Sequence, residues 1–182
     1  MATKSSSERR WVWLFAFAVI AITSIPYVIG FMNQGDGFEF TGFVFGVNDG
    51  NSYISKMLAG NHGDWLFRTP YTTFPQDGIL VYLPYILLGK LVANPASHRE
   101  LVLVFHLFRI AAVFMIVLAT YDFVALFFKR ITSRRIALIL ITVGGGLGWL
   151  LVILGNDKWL GSLPLEYFSP ESFGFQIGRA HV

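Results

Sequence analysis

The 182-residue chain contains no cysteine. This absence excludes disulfide bonds, thiolate metal centres and thiol catalysis. Charge is also scarce, since Asp, Glu, Lys and Arg together make up 14% of the residues, whereas a typical soluble domain has about 25%. A chain with so few charged residues cannot cover the surface of a water-soluble fold. No nucleic-acid-binding motif is present, and the basic residues stand at the ends of apolar runs, which is typical of membrane topology.

The apolar residues, 54% of the chain, are gathered into long runs. A bilayer-spanning helix needs about 20 apolar residues. A run at 78–93 is short for a span and contains Pro84, Gly89 and Lys90, which favours a helix on the membrane surface. The runs that are long enough to cross lie at 11–32, 101–128 and 136–155.

Basic residues predict the orientation of these spans. Arg9 and Arg10 precede the first run, and the segment KRITSRR at 129–135 carries four cations. The positive-inside rule favours a cytoplasmic position for both segments. A full crossing by 78–93 would put 129–135 outside, so we predict three spans, with 78–93 on the outer surface.

The predicted fold class is all-α: a polytopic membrane protein with three transmembrane helices and two extracytoplasmic surface helices. Its segments are a cytoplasmic tail at 1–10, transmembrane helices at 11–32, 101–128 and 136–155, an extracytoplasmic loop at 33–99 with surface helices near 50–60 and 78–93, a cytoplasmic loop at 129–135, and the start of a second outer loop at 156–176. The final IGRAHV, 177–182, resembles a translated sequencing adapter. We therefore expect an N-terminal fragment of a larger fold, inactive by itself.

The polar outer loop holds the first candidate for chemistry, Asp49. It stands just before the predicted helix near 50–60, where it is either the N-cap of that helix or a general base at the membrane surface. Asp64, beside Gly63, is either a turn residue or a second polar group of a site. His62 has no nearby partner ligand, so a metal site there is not expected.

Arg109 is the second candidate, because it lies about two turns into a predicted span, where an ionisable residue is costly. It either binds an anion such as a lipid phosphate, or snorkels or pairs with a carboxylate on another segment. The glycine-rich GGGLG at 144–148 is not a phosphate loop, because no Lys-Ser/Thr follows it and it lies within an apolar run. Close helix packing explains it better.

The order of these elements resembles membrane glycosyltransferases of the C-type fold (GT-C), which include protein mannosyltransferases and the aminoarabinose transferases that modify lipid A. The matching residues are Asp49, Tyr53, Gly63-Asp64-Trp65, the run from Pro75 to Pro84, and Arg109. The chain resembles in particular uncharacterised bacterial members, in which segments like DGNSYISKM, GDWLFRTPYT and GGGLGWL recur in this order.

The resemblance implies transfer of a sugar from a polyprenyl-phosphate donor to an acceptor hydroxyl at the outer face of the bacterial plasma membrane. It implies that Asp49 is the general base. It calls for no cofactor and leaves metal dependence open. The side chains implied to bind substrate are Arg109, Tyr53, Asp64, Trp65, Arg68 and Lys56.

A second hypothesis from another class stays open. A non-enzymatic membrane protein could bind a lipid or a protein partner through the same outer loop, with Asp49 serving only as a helix cap.

Overall fold

The structure is a computed structural model that describes residues 5–35, 37, 39–44 and 46–143. Within these residues it is all-α, as predicted, with no β-strand and one isolated bridge between Phe67 and Ile79. The helices are α1 (Ser6–Met32), α2 (Val47–Asn61), α3 (Leu83–Lys90), α4 (His98–Phe127) and α5 (Ile131–Val143).

Helices α1 and α4 are long and apolar enough to cross a membrane. They have 27 and 30 residues, which gives lengths of about 40 and 45 Å. They contain the predicted spans 11–32 and nearly all of 101–128. Two such helices are consistent with the predicted membrane protein.

Helix α5 begins inside the predicted cytoplasmic loop 129–135, at Ile131. It covers the start of the predicted third span, 136–155. The rest of that span, the GGGLG segment, the second outer loop and the IGRAHV end lie outside the described residues.

The two predicted surface helices both form, with different bounds. Helix α2 starts at Val47 instead of near residue 50. Helix α3 starts at Leu83 instead of 78, because Tyr82 has a left-handed backbone with φ of 55°, which a helix cannot continue through. Before it, Ile79 exchanges two backbone hydrogen bonds with Phe67, at 2.8 and 3.0 Å, and the chain then bends at Leu80, where Val81 N–H donates to the Ile79 carbonyl at 3.0 Å.

Helices α2 and α3 cross with their backbones in contact at two glycines. A Cβ at Gly60 would overlap the carbonyl oxygen of Ile86, and a Cβ at Gly89 would overlap the carbonyl oxygen of Met57. Glycine has no Cβ, so it alone permits this approach. The packing around the crossing is apolar and includes the fully buried Met57.

Substitution of Gly89 by Ala is therefore expected to destabilise this crossing by about 1–3 kcal/mol, because the added methyl group must push two backbones apart. Gly35→Ala is the matched control, since a Cβ at Gly35 meets nothing within 4 Å. Hydrogen exchange of the α2 amides measures the effect. Equal protection in both variants would contradict the crossing.

The chain divides into two compact units. The central unit is Phe17–Phe114 and contains α2 and α3. The end unit combines Met1–Ala16 with Met115–Val182 and includes the start of α1, the end of α4 and α5. In the central unit, a buried cluster joins α2, α3 and the start of α4: Phe43, Ile54, Met57, Leu88, Leu101 and Val102.

Candidate functional site

Asp49 lies in the first turn of α2 and is exposed to solvent. It is not the N-cap. That position is Gly46, whose backbone is left-handed and makes no side-chain capping bond. The N-cap interpretation of Asp49 is therefore wrong. Its carboxylate favours α2 through the helix dipole, worth about 0.3–1 kcal/mol, and makes no capping bond that would prevent it from acting as a base.

Asp49 shares one face of α2 with Ser52, Tyr53 and Lys56, because positions three, four and seven residues apart align on a helix. The ammonium group of Lys56 donates a 2.8 Å hydrogen bond to Ser52 Oγ. Burial raises the pKa of Tyr53, and the negative charge of Asp49 raises it further. Burial lowers the pKa of Lys56, and Asp49 opposes that shift. These groups therefore act on one another electrostatically.

Aromatic rings, and not a carboxylate, surround the Lys56 ammonium group. Its nitrogen lies 4.3 Å from the ring centre of Tyr82, 5.2 Å from Tyr53 and 5.8 Å from Phe67. Lys56 is 7% exposed, and among the described residues no carboxylate forms a salt bridge with it. These contacts are cation–π interactions, so Lys56 holds the segment before α3 against α2.

A stack of aromatic rings ties this face to α4. Tyr53 and Tyr85 stack with ring centres 4.7 Å apart and planes 13° from parallel. Phe105 on α4 lies nearly parallel to both, at 6.0 Å from Tyr53 and 6.4 Å from Tyr85. Offset stacking of this kind adds about 0.5–1.5 kcal/mol per pair beyond burial. The predicted site residue Tyr53 is thus fixed by α3 and α4.

The residues after α2 form a separate exposed group. Asp64 and Arg68 form an ion pair at 3.8 Å, with side chains that are about half exposed. Such surface pairs contribute little stability. Trp65 is 59% exposed, and the Lys90 ammonium group lies 4.3 Å from its ring centre. Within the described part of the chain, none of these four residues forms an ion pair or a ring contact with Asp49.

Arg109 contacts α1, not α2. Its guanidinium group donates to the Thr23 carbonyl at 3.2 Å and to Ser24 Oγ at 2.9 Å, and it lies 4.5 Å from the ring centre of Tyr27. No carboxylate pairs with it among the described residues. His106, one turn earlier, donates from Nε2 to the Gly42 carbonyl at 2.8 Å.

Asn61, which the sequence analysis did not identify, joins α2 to the segment after α3. Its buried side-chain amide nitrogen donates to the carbonyl of Val92 at 2.7 Å and also lies 3.2 Å from that of Gly89. Its Oδ1 accepts the Ala96 backbone N–H at 3.2 Å. A buried polar side chain of this type holds one geometry, because each lost bond leaves an unpaired group.

A second polar cluster, also not identified from the sequence, lies in the end unit. Glu8 is 3% exposed, and its Oε1 accepts bonds from Tyr121 Oη at 2.5 Å and from Arg134 Nη1 at 2.8 Å. Arg134 Nε donates to the Phe128 carbonyl at 2.7 Å. We call Glu8, Tyr121 and Arg134 the Glu8 cluster. It holds the start of α1 against the α4–α5 turn, so both lie at the same end of the unit.

The described residues contain no group of three His, Asp or Glu side chains that could hold a metal ion. Comparisons of the chain with protein-family profiles, curated proteins and solved structures found no match.

Proposed function

We propose that this chain carries the base-containing outer loop of a membrane glycosyltransferase of the GT-C type, acting in the bacterial plasma membrane. The observation that carries the proposal is the Asp49 carboxylate. It is exposed, it does not cap α2, and it shares a helix face with Tyr53 and Lys56. An exposed carboxylate on a helix fixed by packing fits a general base better than a structural role.

The topology that the mechanism needs is supported by two observations. The Glu8 cluster holds the start of α1 and the α4–α5 turn on one side, so an even number of crossings separates them. Helix α3 has eight residues, or about 12 Å, which is too short to cross a hydrocarbon core of about 30 Å. Counting α1 as one crossing, we propose that Asp49 is on the outer side, since the positive-inside rule favours a cytoplasmic position for the basic segments 9–10 and 129–135. We also propose 136–155 as the third span, of which 136–143 belong to α5.

The proposed reaction transfers a sugar from a polyprenyl phosphate to an acceptor hydroxyl. The acceptor oxygen attacks the anomeric carbon, and Asp49 takes the hydroxyl proton. The bond between the anomeric carbon and the phosphate oxygen breaks, and its electron pair leaves with the polyprenyl phosphate. A positioned base contributes about 10²–10⁴-fold to such a step.

The leaving phosphate needs a nearby cation. Arg109 remains the first candidate, since no carboxylate in the described part of the chain pairs with its guanidinium group, which leaves its charge available to an anion. Arg68 is an exposed alternative. Lys56 lies under aromatic rings, so we propose that it acts as a fixed positive charge near Asp49 and does not itself touch the phosphate.

The polyprenyl chain requires an apolar surface, and the segment between α2 and α3 offers one. Its large apolar side chains are unusually exposed: Trp65 59%, Tyr71 77%, Phe74 80% and Leu80 67%. Exposed apolar patches of this kind mark contact sites for lipids or proteins. The same observation favours the second candidate function, a non-enzymatic subunit that binds a lipid or a protein partner through this segment.

Cysteine labelling tests the topology, and the absence of native cysteine removes any background. Single cysteines replace the exposed residues Asn51, Ala93 and Thr132, and intact cells are treated with a membrane-impermeant thiol reagent. We expect labelling at 51 and 93 and protection at 132, with all three labelled after lysis. Protection at 51 would place Asp49 inside and overturn the proposal.

A transfer assay tests the chemistry. Membranes containing the full-length protein are incubated with polyprenyl phosphates that carry radiolabelled hexoses or pentoses, and the loss of label from the donor lipid is followed. We expect faster loss of at least one donor than in membranes without the protein, with a matching gain of labelled acceptor. Binding of the donor with no turnover of any sugar would favour the non-enzymatic function.

A further inference from the structure

The end unit carries five cations whose side chains form no hydrogen bond or ion pair within the described part of the chain. Arg134 is different, because Glu8 and the Phe128 carbonyl occupy its guanidinium group. The five are Arg9, Arg10, Lys129, Arg130 and Arg135. Four of them are exposed, and Arg135 is partly exposed.

The Glu8 cluster brings these cations together from two segments that are far apart in sequence. Arg9 and Arg10 directly follow Glu8 on α1, while the others flank Arg134 around the α4–α5 turn. The guanidinium group of Arg135 lies 4.7 Å from the ring centre of Trp11, next to Arg10 in the chain. We call the five residues the basic patch.

Within the described part of the chain, carboxylates are too few to balance this charge. The described residues of the end unit include two acidic side chains, Glu8 and Asp122. They include six basic side chains, namely the basic patch and Arg134. Glu8 is buried against Arg134, so its charge is already matched. Asp122 lies on α4 about two turns before Lys129. The patch is therefore strongly positive where it meets the ends of α1 and α4.

We propose that the basic patch binds the headgroup of an anionic phospholipid and prefers a headgroup with two phosphates. The patch stands at the ends of two helices that are apolar enough to lie in a bilayer, so a phosphate bound there leaves its acyl chains beside those helices. Basic pockets at helix ends suit such headgroups, and Arg binds phosphate oxygens with paired N–H groups. The proposal requires α1 and α4 to be in a membrane but is independent of sugar transfer.

Native mass spectrometry of the full-length protein, purified in detergent and exposed to defined lipids, tests this proposal. The probes are cardiolipin, which has two phosphates, and zwitterionic phosphatidylethanolamine. The variants are Arg9→Gln/Arg10→Gln, Lys129→Gln/Arg130→Gln and the four substitutions combined. Arg99→Gln is the matched control, since Arg99 is an exposed arginine at the opposite end of α4. Circular dichroism checks that each variant remains helical.

We expect the wild type to retain cardiolipin at least tenfold more strongly than phosphatidylethanolamine. Each neutralised cation is expected to weaken cardiolipin binding by about fivefold, so the combined variant loses more than about 100-fold, while Arg99→Gln stays within about twofold of wild type. Equal retention by the combined variant and the wild type would overturn the proposal, as would an equal loss in Arg99→Gln. Inorganic phosphate that displaces cardiolipin at a comparable concentration would assign the patch to free phosphate instead of lipid.

Discussion

Replacement of Asp49 by Asn is expected to lower the rate of sugar transfer by about 10²–10⁴-fold, the contribution of a positioned general base. The amide cannot accept the proton of the acceptor hydroxyl at neutral pH, although its shape is nearly that of the carboxylate. Donor binding should change little, because the loss falls on the chemical step. Radiolabelled donor turnover and donor affinity, measured on the same membranes, separate these two quantities.

Two further substitutions make the Asp49 prediction specific. Asp49→Glu keeps the base but moves it by one methylene, so we expect a partial loss that lies between wild type and Asp49→Asn. Asp77→Asn is the control, because Asp77 is an exposed loop carboxylate with no resolved ion pair in the described part of the chain. Full turnover in both Asp49→Asn and Asp77→Asn would show that Asp49 is not the base. That result would favour the non-enzymatic function.

Loss of helix structure cannot account for the expected result. Asp49 is not the N-cap of α2, so its substitution removes a dipole interaction of about 0.3–1 kcal/mol and an attraction to Lys56, but no capping bond. The buried contacts of Ile54 and Met57 hold α2 in place. A thermal scan of Asp49→Asn should therefore stay close to that of the wild type while its turnover falls.

Replacement of Glu8 by Ala is expected to destabilise the end unit by about 3–5 kcal/mol, the cost of removing one partner from a buried ion pair. The substitution leaves the Arg134 guanidinium group, whose side chain is 8% exposed, without a counter-charge. It also removes the acceptor of the Tyr121 hydroxyl. Unfolding by denaturant in detergent, followed by circular dichroism, measures the loss.

A double substitution distinguishes a buried charge pair from a general sensitivity of this region. In Glu8→Leu/Arg134→Met neither charge remains, so we expect much of the stability lost in Glu8→Ala to return. Glu39→Gln, at an exposed carboxylate outside the end unit, should change the free energy of unfolding by less than about 0.5 kcal/mol. A double variant as unstable as Glu8→Ala would show that packing, not charge, controls this site.

The candidate site shows where sequence reasoning reached its limit. The sequence identified Asp49, Tyr53 and Lys56 as candidates only one by one, and their surroundings come from elsewhere in the chain. Phe67 and Tyr82 cover Lys56, and they come together because Ile79, three residues before Tyr82, pairs with Phe67 in an isolated bridge. Periodicity cannot predict such a pairing, since a single bridge leaves almost no pattern.

The sequence by itself determined the helical class, the two long apolar helices α1 and α4, and the presence of two short helices between them. These follow from local properties, namely the length of apolar runs and the period of polar and apolar residues, which one chain segment carries alone. Only the tertiary structure decided that Asp49 is not a cap, that Gly60 and Gly89 permit a backbone crossing, and that Glu8 is matched by Arg134. The first depends on the backbone angles of Gly46, which a sequence pattern does not specify. The other two depend on contacts between residues distant in sequence, where burial sets the energetic cost of an unpaired charge or an added methyl group.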